Sequence, residues 1–205
     1  MEILFSFLKI FALALTGIYC LLIIIYSISW ERIKNFSPLK ENKTFVSIVV
    51  AARNEENNIV KCLEHLSKQN YPQHLFEIII ANDFSEDTTQ QIVESFIIAN
   101  KKASIKLINL SEINKEKKGS KKIAIAEGVK KSKGELIITT DADCTMNINW
   151  LKTIADYYET YHPYMICGPV VFSENNLFDK IQSLEFMSLI GIGASAIQSR
   201  YPLMC

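Results

Sequence analysis

The five cysteines of this 205-residue chain, Cys20, Cys62, Cys144, Cys167 and Cys205, are widely separated and make no C-x-x-C pair. Neither a zinc knuckle nor a disulfide framework is therefore written into the sequence, and a reducing, cytoplasmic side fits best. Histidine is scarce too: His65, His74 and His162 stand apart from one another and from other ligand types, which favours surface or packing roles over a metal site. Charge of one sign is missing, because 22 basic and 22 acidic residues give a formal net charge of +0. No global field draws such a chain toward nucleic acid or an acidic polymer, so its partners must be argued from local sites. Internal repeats and low-complexity tracts are also absent. What remains, 49% hydrophobic against 21% charged residues, is the composition of a chain that folds around a core.

One stretch lacks charge altogether. No charged residue occurs from Ile10 to Trp30, and the run FALALTGIYCLLIIIYSISW reaches the ~20 residues that cross a hydrocarbon core as a helix. A cleaved signal peptide is the rival reading. The run exceeds the usual ~7–15 residues of a signal, only Lys9 precedes it, and no small-x-small cleavage site follows, so an uncleaved anchor over residues 1–30 is expected. Tyr26 and Trp30 suit the interface. Arg32, Lys34, Lys40 and Lys43 follow the run, whereas only Lys9 lies on its other side, which predicts a single span with everything after Trp30 in the cytoplasm. Residues 31–44, polar and broken by Pro38, read as a linker.

From Phe45 onward strands and helices alternate. FVSIVVAA (Phe45 to Ala52), FEIIIA (Phe76 to Ala81), SIKLINL (Ser104 to Leu110) and ELIITT (Glu135 to Thr140) are short, β-branched apolar runs. Between them, Ile59, Leu63 and Leu66, then Ile92, Val93, Phe96 and Ile97, fall at helical spacing, and SKKIAIAEGVKKS reads as a third helix. This rhythm predicts an α/β fold with a mainly parallel sheet, and helices on both faces explain strands that are continuously apolar instead of alternating. PYMICGPVVF reads as a further strand. Leu177 to Gln198 reads as an apolar helix with Ile181, Leu184, Met187 and Ile190 on one stripe.

Three polar clusters begin at the carboxyl ends of predicted strands: Arg53-Asn54-Glu55-Glu56, Asn82-Asp83-Phe84-Ser85-Glu86-Asp87 and Asp141-Ala142-Asp143. Open parallel sheets bind ligands at that edge. In Asp141-Ala142-Asp143 the carboxylates are two residues apart, so a strand continuing to that point would turn both to one side, where they could share Mg²⁺ or Mn²⁺. A solvated acidic turn that caps the next helix is the structural alternative. Gly119-Ser120-Lys121-Lys122 opens the third helix, and a helix start with lysines can face phosphate, although most of Lys115 to Lys122 reads as a solvated face. Asp83 is placed to accept hydrogen bonds from a base or ribose, while Asp87 and Thr88 start the next helix. Glu55 and Glu56 suit either a ligand or a helix dipole. Cys144, beside the acidic motif, reads as a buried thiol with no role.

In SIVVAARNEENNI, EIIIANDFSEDTTQQIV, GSKKIAIAEGVKKSKGELIITTDAD and the following NINWL, covering about residues 45 to 151, the chain resembles the family-two glycosyltransferases. The resemblance implies a GT-A fold over residues 45–175. It implies nucleotide contacts from Ala51 and Glu55, an acidic base reader at Asp83, the lysine ahead of an A-L-N-x-G-like segment at Lys121, and a D-x-D at Asp141 and Asp143, with Asp143 as metal ligand. The implied cofactor is a divalent cation, Mg or Mn. The implied partners are a nucleoside diphosphate sugar donor, UDP or GDP, a lipid-linked or envelope glycan acceptor, and the membrane, with no nucleic acid. In the inverting mechanism usual for the family, a carboxylate base deprotonates the acceptor hydroxyl.

The sequence departs from the family in two respects. Ala51-Ala52-Arg53-Asn54-Glu55 stands where P-x-Y-N-E is common, and Ala126 replaces the asparagine of A-L-N. Further, the catalytic acidic pair and the Q-x-x-R-W-like segment expected well beyond the D-x-D have no match in residues 144–205, and nothing singles out Glu174 or Asp179 as a base. The base is therefore expected beyond Cys205, and this polypeptide is expected to bind nucleotide and metal but to transfer sugar poorly or not at all. Residues 176–205 are expected to form an apolar, membrane-interfacial helix that begins an incomplete acceptor region. A membrane-tethered nucleotide-sugar-binding or scaffold module without chemistry is the alternative. A nucleotidyltransferase ranks last, because no G-x-G-x-R-like loop follows the first strand.

Overall fold

A computed structural model describes residues 1–33, 36, 43–113, 119–172 and 176–200. Lys34, Lys40, Glu174, most of the linker and residues 115–118 of the lysine-rich stretch lie outside the described residues. The chain forms two compact units, Met1–Phe36 with Cys167–Cys205, and Ser37–Ile166.

The Ser37–Ile166 unit is built on four parallel strands, β1 (Val46–Ala52), β2 (Phe76–Asn82), β3 (Ile105–Asn109) and β4 (Leu136–Asp141), in the order β3-β2-β1-β4. The first four expected strands are present to within one residue at either end. Every residue of β2 is buried, and in β1 only Ala51 is partly exposed, because these two central strands are covered on both faces. Alternation distributes their side chains. Ile48, Val50, Ile78 and Ile80 join a core with Ile59, Leu63 and Leu66 of α2 (Ile59–Ser67), Val93 of α3 (Thr89–Ala99) and Leu151 and Ala155 of a later helix, Trp150–Tyr161. Ala81 packs instead with Leu110, which opens the short helix α4 (Leu110–Ile113), and with Ala124 of α5 (Lys121–Lys131). We call Trp150–Tyr161 α6. Each fully buried Ile or Leu contributes about 1.5–3 kcal/mol through lost apolar exposure.

The contact between α5 and β1 is close. A Cβ at Gly128 would lie 2.4 Å from Val49 Cγ1, so the helix reaches the sheet only because that position has no side chain. At the amino-terminal edge, Glu77 is almost fully buried. It accepts Ser47 Oγ–H at 2.7 Å, the Lys133 N–H at 2.8 Å and the Lys106 ammonium at 2.5 Å. Burial alone would raise the Glu77 carboxyl, but the hydrogen bonds from Lys106, Ser47 and Lys133 outweigh it and hold the group below the usual carboxylate range.

Two expectations are corrected. PYMICGPVVF forms no strand: residues 163–172 have no ladder partner among the described residues, and Tyr164, Met165 and Val171 are exposed. β-propensity describes fit to a half-buried pleated surface, and without a neighbour to supply that surface an apolar run does not become a strand. Strand β4 also ends at Asp141, with Ala142 and Asp143 in a turn, so the two aspartates are not presented by strand alternation.

In the other unit, α1 (Glu2–Glu31) is one continuous 30-residue helix, on the order of 45 Å long at 1.5 Å per residue. It is the one helix among the described residues long and apolar enough to cross a membrane, and none of its most apolar window is buried. The helix α7 (Leu177–Gln198) starts where Asn176 Oδ1 accepts the Asp179 N–H at 2.9 Å, and it packs against α1. The buried positions on these two helices are small, namely Ser29, Ser183, Ser195 and Ala196. Leu177, Phe178, Ile181, Leu184 and Met187 remain exposed.

Candidate functional site

The strand registers set the site. Ala51 pairs with Ala81 on one side and with Asp141 on the other, so the chain leaves β1, β2 and β4 at one level. The order also reverses there: β2 and β3 succeed β1 on one side, and β4 joins the other. A crevice forms at such a reversal because successive connections leave toward opposite faces.

Two residues with positive φ turn the chain at this edge, Asn54 (φ 55) after β1 and Phe84 (φ 54) after β2. Asparagine tolerates this left-handed geometry, but a bulky aromatic needs support from its surroundings. Phe84 packs against the Ala81, Leu110 and Ala124 cluster, and the loops are tied across by Asn54 N–H to Ser85 Oγ at 3.0 Å and Glu86 N–H to Asn54 Oδ1 at 2.8 Å. Glu56 belongs to this scaffold. Its carboxylate accepts the Thr88 N–H at 3.1 Å and hydroxyl at 2.7 Å, joining the start of α3 to the β1 loop. Asp87 accepts the N–H and hydroxyl of Thr89, the first residue of α3, as expected of a helix-start residue.

The cleft between these loops has a volume of about 410 Å³ and is lined by Ala51, Ala52, Arg53, Glu55, Asp83, Ser120, Lys121, Asp141 and Asp143. All six residues singled out in the sequence, Ala51, Glu55, Asp83, Lys121, Asp141 and Asp143, lie on its wall. Asp83 is nearly buried, its N–H is held by Ala52 O at 2.8 Å, and its Oδ1 accepts the Ser120 N–H at 3.0 Å. The amino terminus of α5 is thereby fastened to the end of β2. Lys121, the first residue of α5, extends its ammonium to within 2.7 Å of both carboxylate oxygens of Asp141.

Sequence reasoning placed Arg53 in a polar cluster and Gly119 and Ser120 at a helix start but gave none of them a role of its own. The signal for Gly119 was its position directly ahead of the helix-opening Ser-Lys-Lys. A Cβ there would lie 2.7 Å from Asp83 Oδ1 and 3.0 Å from Arg53 Nη1, so glycine is what lets the α5 loop approach the Asp83 carboxylate. The thiol of Cys62 lies under the site, 3.8 Å from Asp141 O, and burial, reinforced by Cys144, Asp143 and Glu55, pushes it up to about 12. It stays protonated and unreactive at neutral pH. Burial also raises Cys144. Among the described residues no group of three His, Cys, Asp or Glu side chains converges as a preformed metal cage.

The model of Glycosyl transferase family 2 matches residues 47–203. The chain is 32% identical over 108 residues to glycosyltransferase AglE of Haloferax volcanii, which covers 53% of this chain and 33% of that protein. It is 31% identical over 116 residues to the poly(ribitol-phosphate) beta-N-acetylglucosaminyltransferase TarS of Staphylococcus aureus, covering 57% of this chain and 19% of that protein. The crystal structure of S. aureus TarS 1–349 superposes with a TM-score of 0.50 at 28% identity, over 57% of this chain and 33% of that one. The sheet and its flanking helices are those of a GT-A fold. The chain spans between about a fifth and a third of the length of these relatives.

Proposed function

The chain belongs to glycosyl transferase family 2, and from that premise we propose that it carries the donor side of an enzyme that transfers a sugar from a nucleoside diphosphate sugar to a lipid-linked or envelope glycan acceptor. The observation that carries this reading is the convergence of Asp83, Lys121, Asp141 and Asp143, drawn from three separate segments, on one cleft. Asp83, with one oxygen tied to Ser120, offers its other oxygen to an N–H of the base. The Ala51 backbone and Glu55 line the nucleotide end. The amino terminus of α5 and the Lys121 ammonium supply positive charge for the diphosphate.

The residues present fit a divalent cation in part. Asp141 and Asp143 offer hard carboxylate oxygens on one wall, and with no third side-chain ligand among the described residues, the remaining positions fall to water and donor oxygens, as suits Mg²⁺ or Mn²⁺. When bound, such a cation supplies charge that stabilises the diphosphate leaving group. Inversion at the sugar carbon requires a carboxylate base on the acceptor side. No carboxylate after Asp143 lines the cleft among the described residues, so this reading assigns donor binding, not efficient turnover, to these 205 residues.

We read α1 as a single membrane span with the Ser37–Ile166 unit on the cytoplasmic side, supported by the basic residues that follow the helix. The apolar side chains exposed on α7 support an interfacial position beside the span. The poly(ribitol-phosphate) in the name of TarS supports a polymeric acceptor. Calorimetric titration of the full chain in detergent with UDP, GDP and their sugar conjugates, with and without Mn²⁺, tests the reading. Cation-dependent binding that Asp143→Ala abolishes is the expected result. Failure of wild type to bind any of these nucleotides would remove the proposal.

A further inference from the structure

The Lys121 ammonium covers the Asp141 carboxylate, one of the two that would hold a cation. Its Nζ lies 2.7 Å from Asp141 Oδ1 and 2.7 Å from Asp141 Oδ2, straddling the carboxylate symmetrically. In this pose the lysine's charge is placed on one of the two carboxylates proposed for the cation. The pair is also easily undone, because Lys121 is 60% and Asp141 49% exposed at the side chain. Ion pairs this open are weak, and a compact ammonium on a flexible four-carbon stem moves at little cost. Asp143, by contrast, makes no ion pair with Lys121, so the second carboxylate of the wall remains open while the first is covered.

We propose that Lys121 is a displaceable stand-in for the cation, which makes cation and donor binding interdependent; this rests on the donor-site reading above. In the empty cleft the ammonium neutralises Asp141 and competes with a free divalent ion. When a diphosphate enters, the ammonium transfers to the phosphate oxygens and Asp141 is released to the ion. Each ligand then favours the other through the same lysine, and the coupling is reciprocal because both are binding equilibria. The device keeps two carboxylates from holding a cation idly when no donor is present. Lys121 therefore acts as a positioning residue for the cation as well as a contact to the donor.

The test uses the full chain in detergent, with Mn²⁺ alone followed by electron paramagnetic resonance, and UDP and GDP followed by calorimetry at saturating Mn²⁺. Lys121→Met keeps the stem and removes the charge. Its expected effects have opposite signs: free Mn²⁺ binds about two- to fivefold tighter, while the nucleotide binds more weakly. Lys121→Arg retains a mobile cation and restores the wild-type order. Damage to the fold would weaken both ligands, and thermal unfolding of each variant checks for it. If wild type binds Mn²⁺ in a manner abolished by Asp143→Asn, yet Lys121→Met binds it no tighter, the stand-in role is wrong and the donor site survives. If Lys121→Met also binds no Mn²⁺, or binds it in a manner indifferent to Asp143→Asn, the stand-in role fails; failure of wild type to bind UDP or GDP at saturating Mn²⁺ removes the donor-site reading and the stand-in role with it.

Discussion

Gly119→Ala tests the site through its least conspicuous residue. The added methyl would lie 2.7 Å from Asp83 Oδ1, 3.2 Å from Asp83 Cγ and 3.0 Å from Arg53 Nη1, inside the 3.4 Å at which ordinary contact begins. The arginine end is exposed and flexible and swings away at little cost. Asp83 has no such freedom: it is 4% exposed, its backbone N–H is held by Ala52 O, and its Oδ1 holds the Ser120 N–H. Relief therefore comes by turning the carboxylate or lifting the α5 loop, and either motion breaks the Asp83–Ser120 hydrogen bond. A hydrogen bond to a charged group is worth about 1.5–3 kcal/mol. Because the same carboxylate is the proposed base reader, nucleotide affinity should fall by the equivalent of that loss, about 10- to 150-fold. Calorimetry with UDP and GDP at saturating Mn²⁺ measures it. Gly193→Ala, whose methyl meets nothing within 4 Å, serves as the control. Nucleotide binding by Gly119→Ala within twofold of wild type would refute the reasoning, showing that the loop yields without disturbing Asp83 or that Asp83 does not touch the nucleotide.

Glu77→Gln should lower stability to urea at pH 7 by about 1–3 kcal/mol, since it weakens a carboxylate that accepts three hydrogen bonds. The Glu77 carboxyl is depressed on folding, so its contribution is present above the unfolded value of about 4.3 and is lost as pH falls through the folded value. The gap between wild type and variant should therefore close toward acid, and a gap of constant size from pH 7 to acid would contradict the ionic role. Gly128→Ala drives a methyl to 2.4 Å from Val49 Cγ1, and the overpacking, about 1–3 kcal/mol, should exceed the gain in helix propensity, up to about 1 kcal/mol. Combining it with Val49→Ala should cost less than the sum of the two single losses; strict additivity in urea midpoints would show that α5 does not rest on that side chain.

How far the sequence discloses this molecule depends on whether an element carries its own reason to form. The strands β1 and β2 are buried on both faces, and their unbroken apolar runs predict them to within a residue. β4, an edge strand among the described residues, is less apolar, and Ile137 and Thr139, two apart on one face, are exposed. Residues 163–172 are apolar too but carry Pro163, Gly168 and Pro169, and they form no strand, since a ladder is a property of two segments and only one of them is in the run.

The site divides along the same line. Residue types at strand ends indicate which side chains face the ligand edge, but they do not indicate which ends are neighbours. In chain order β4 follows β3, so a simple succession of crossovers would place Asp141 beside Asn109, three strands away from Ala51. The structure instead pairs Asp141 with Ala51, on the far side of β1 from β2. That reversal gathers the ends of β1, β2 and β4 around one opening, and α5, the crossover helix before β4, is carried with it so that Lys121 meets Asp141 across 20 residues of sequence. The α5 loop must then pass close to Asp83, and Gly119 makes that passage possible. A motif of loosely spaced carboxylates is thus gathered into one cleft through strand order, which hydrophobic periodicity does not encode, and through one missing side chain that no charge pattern marks.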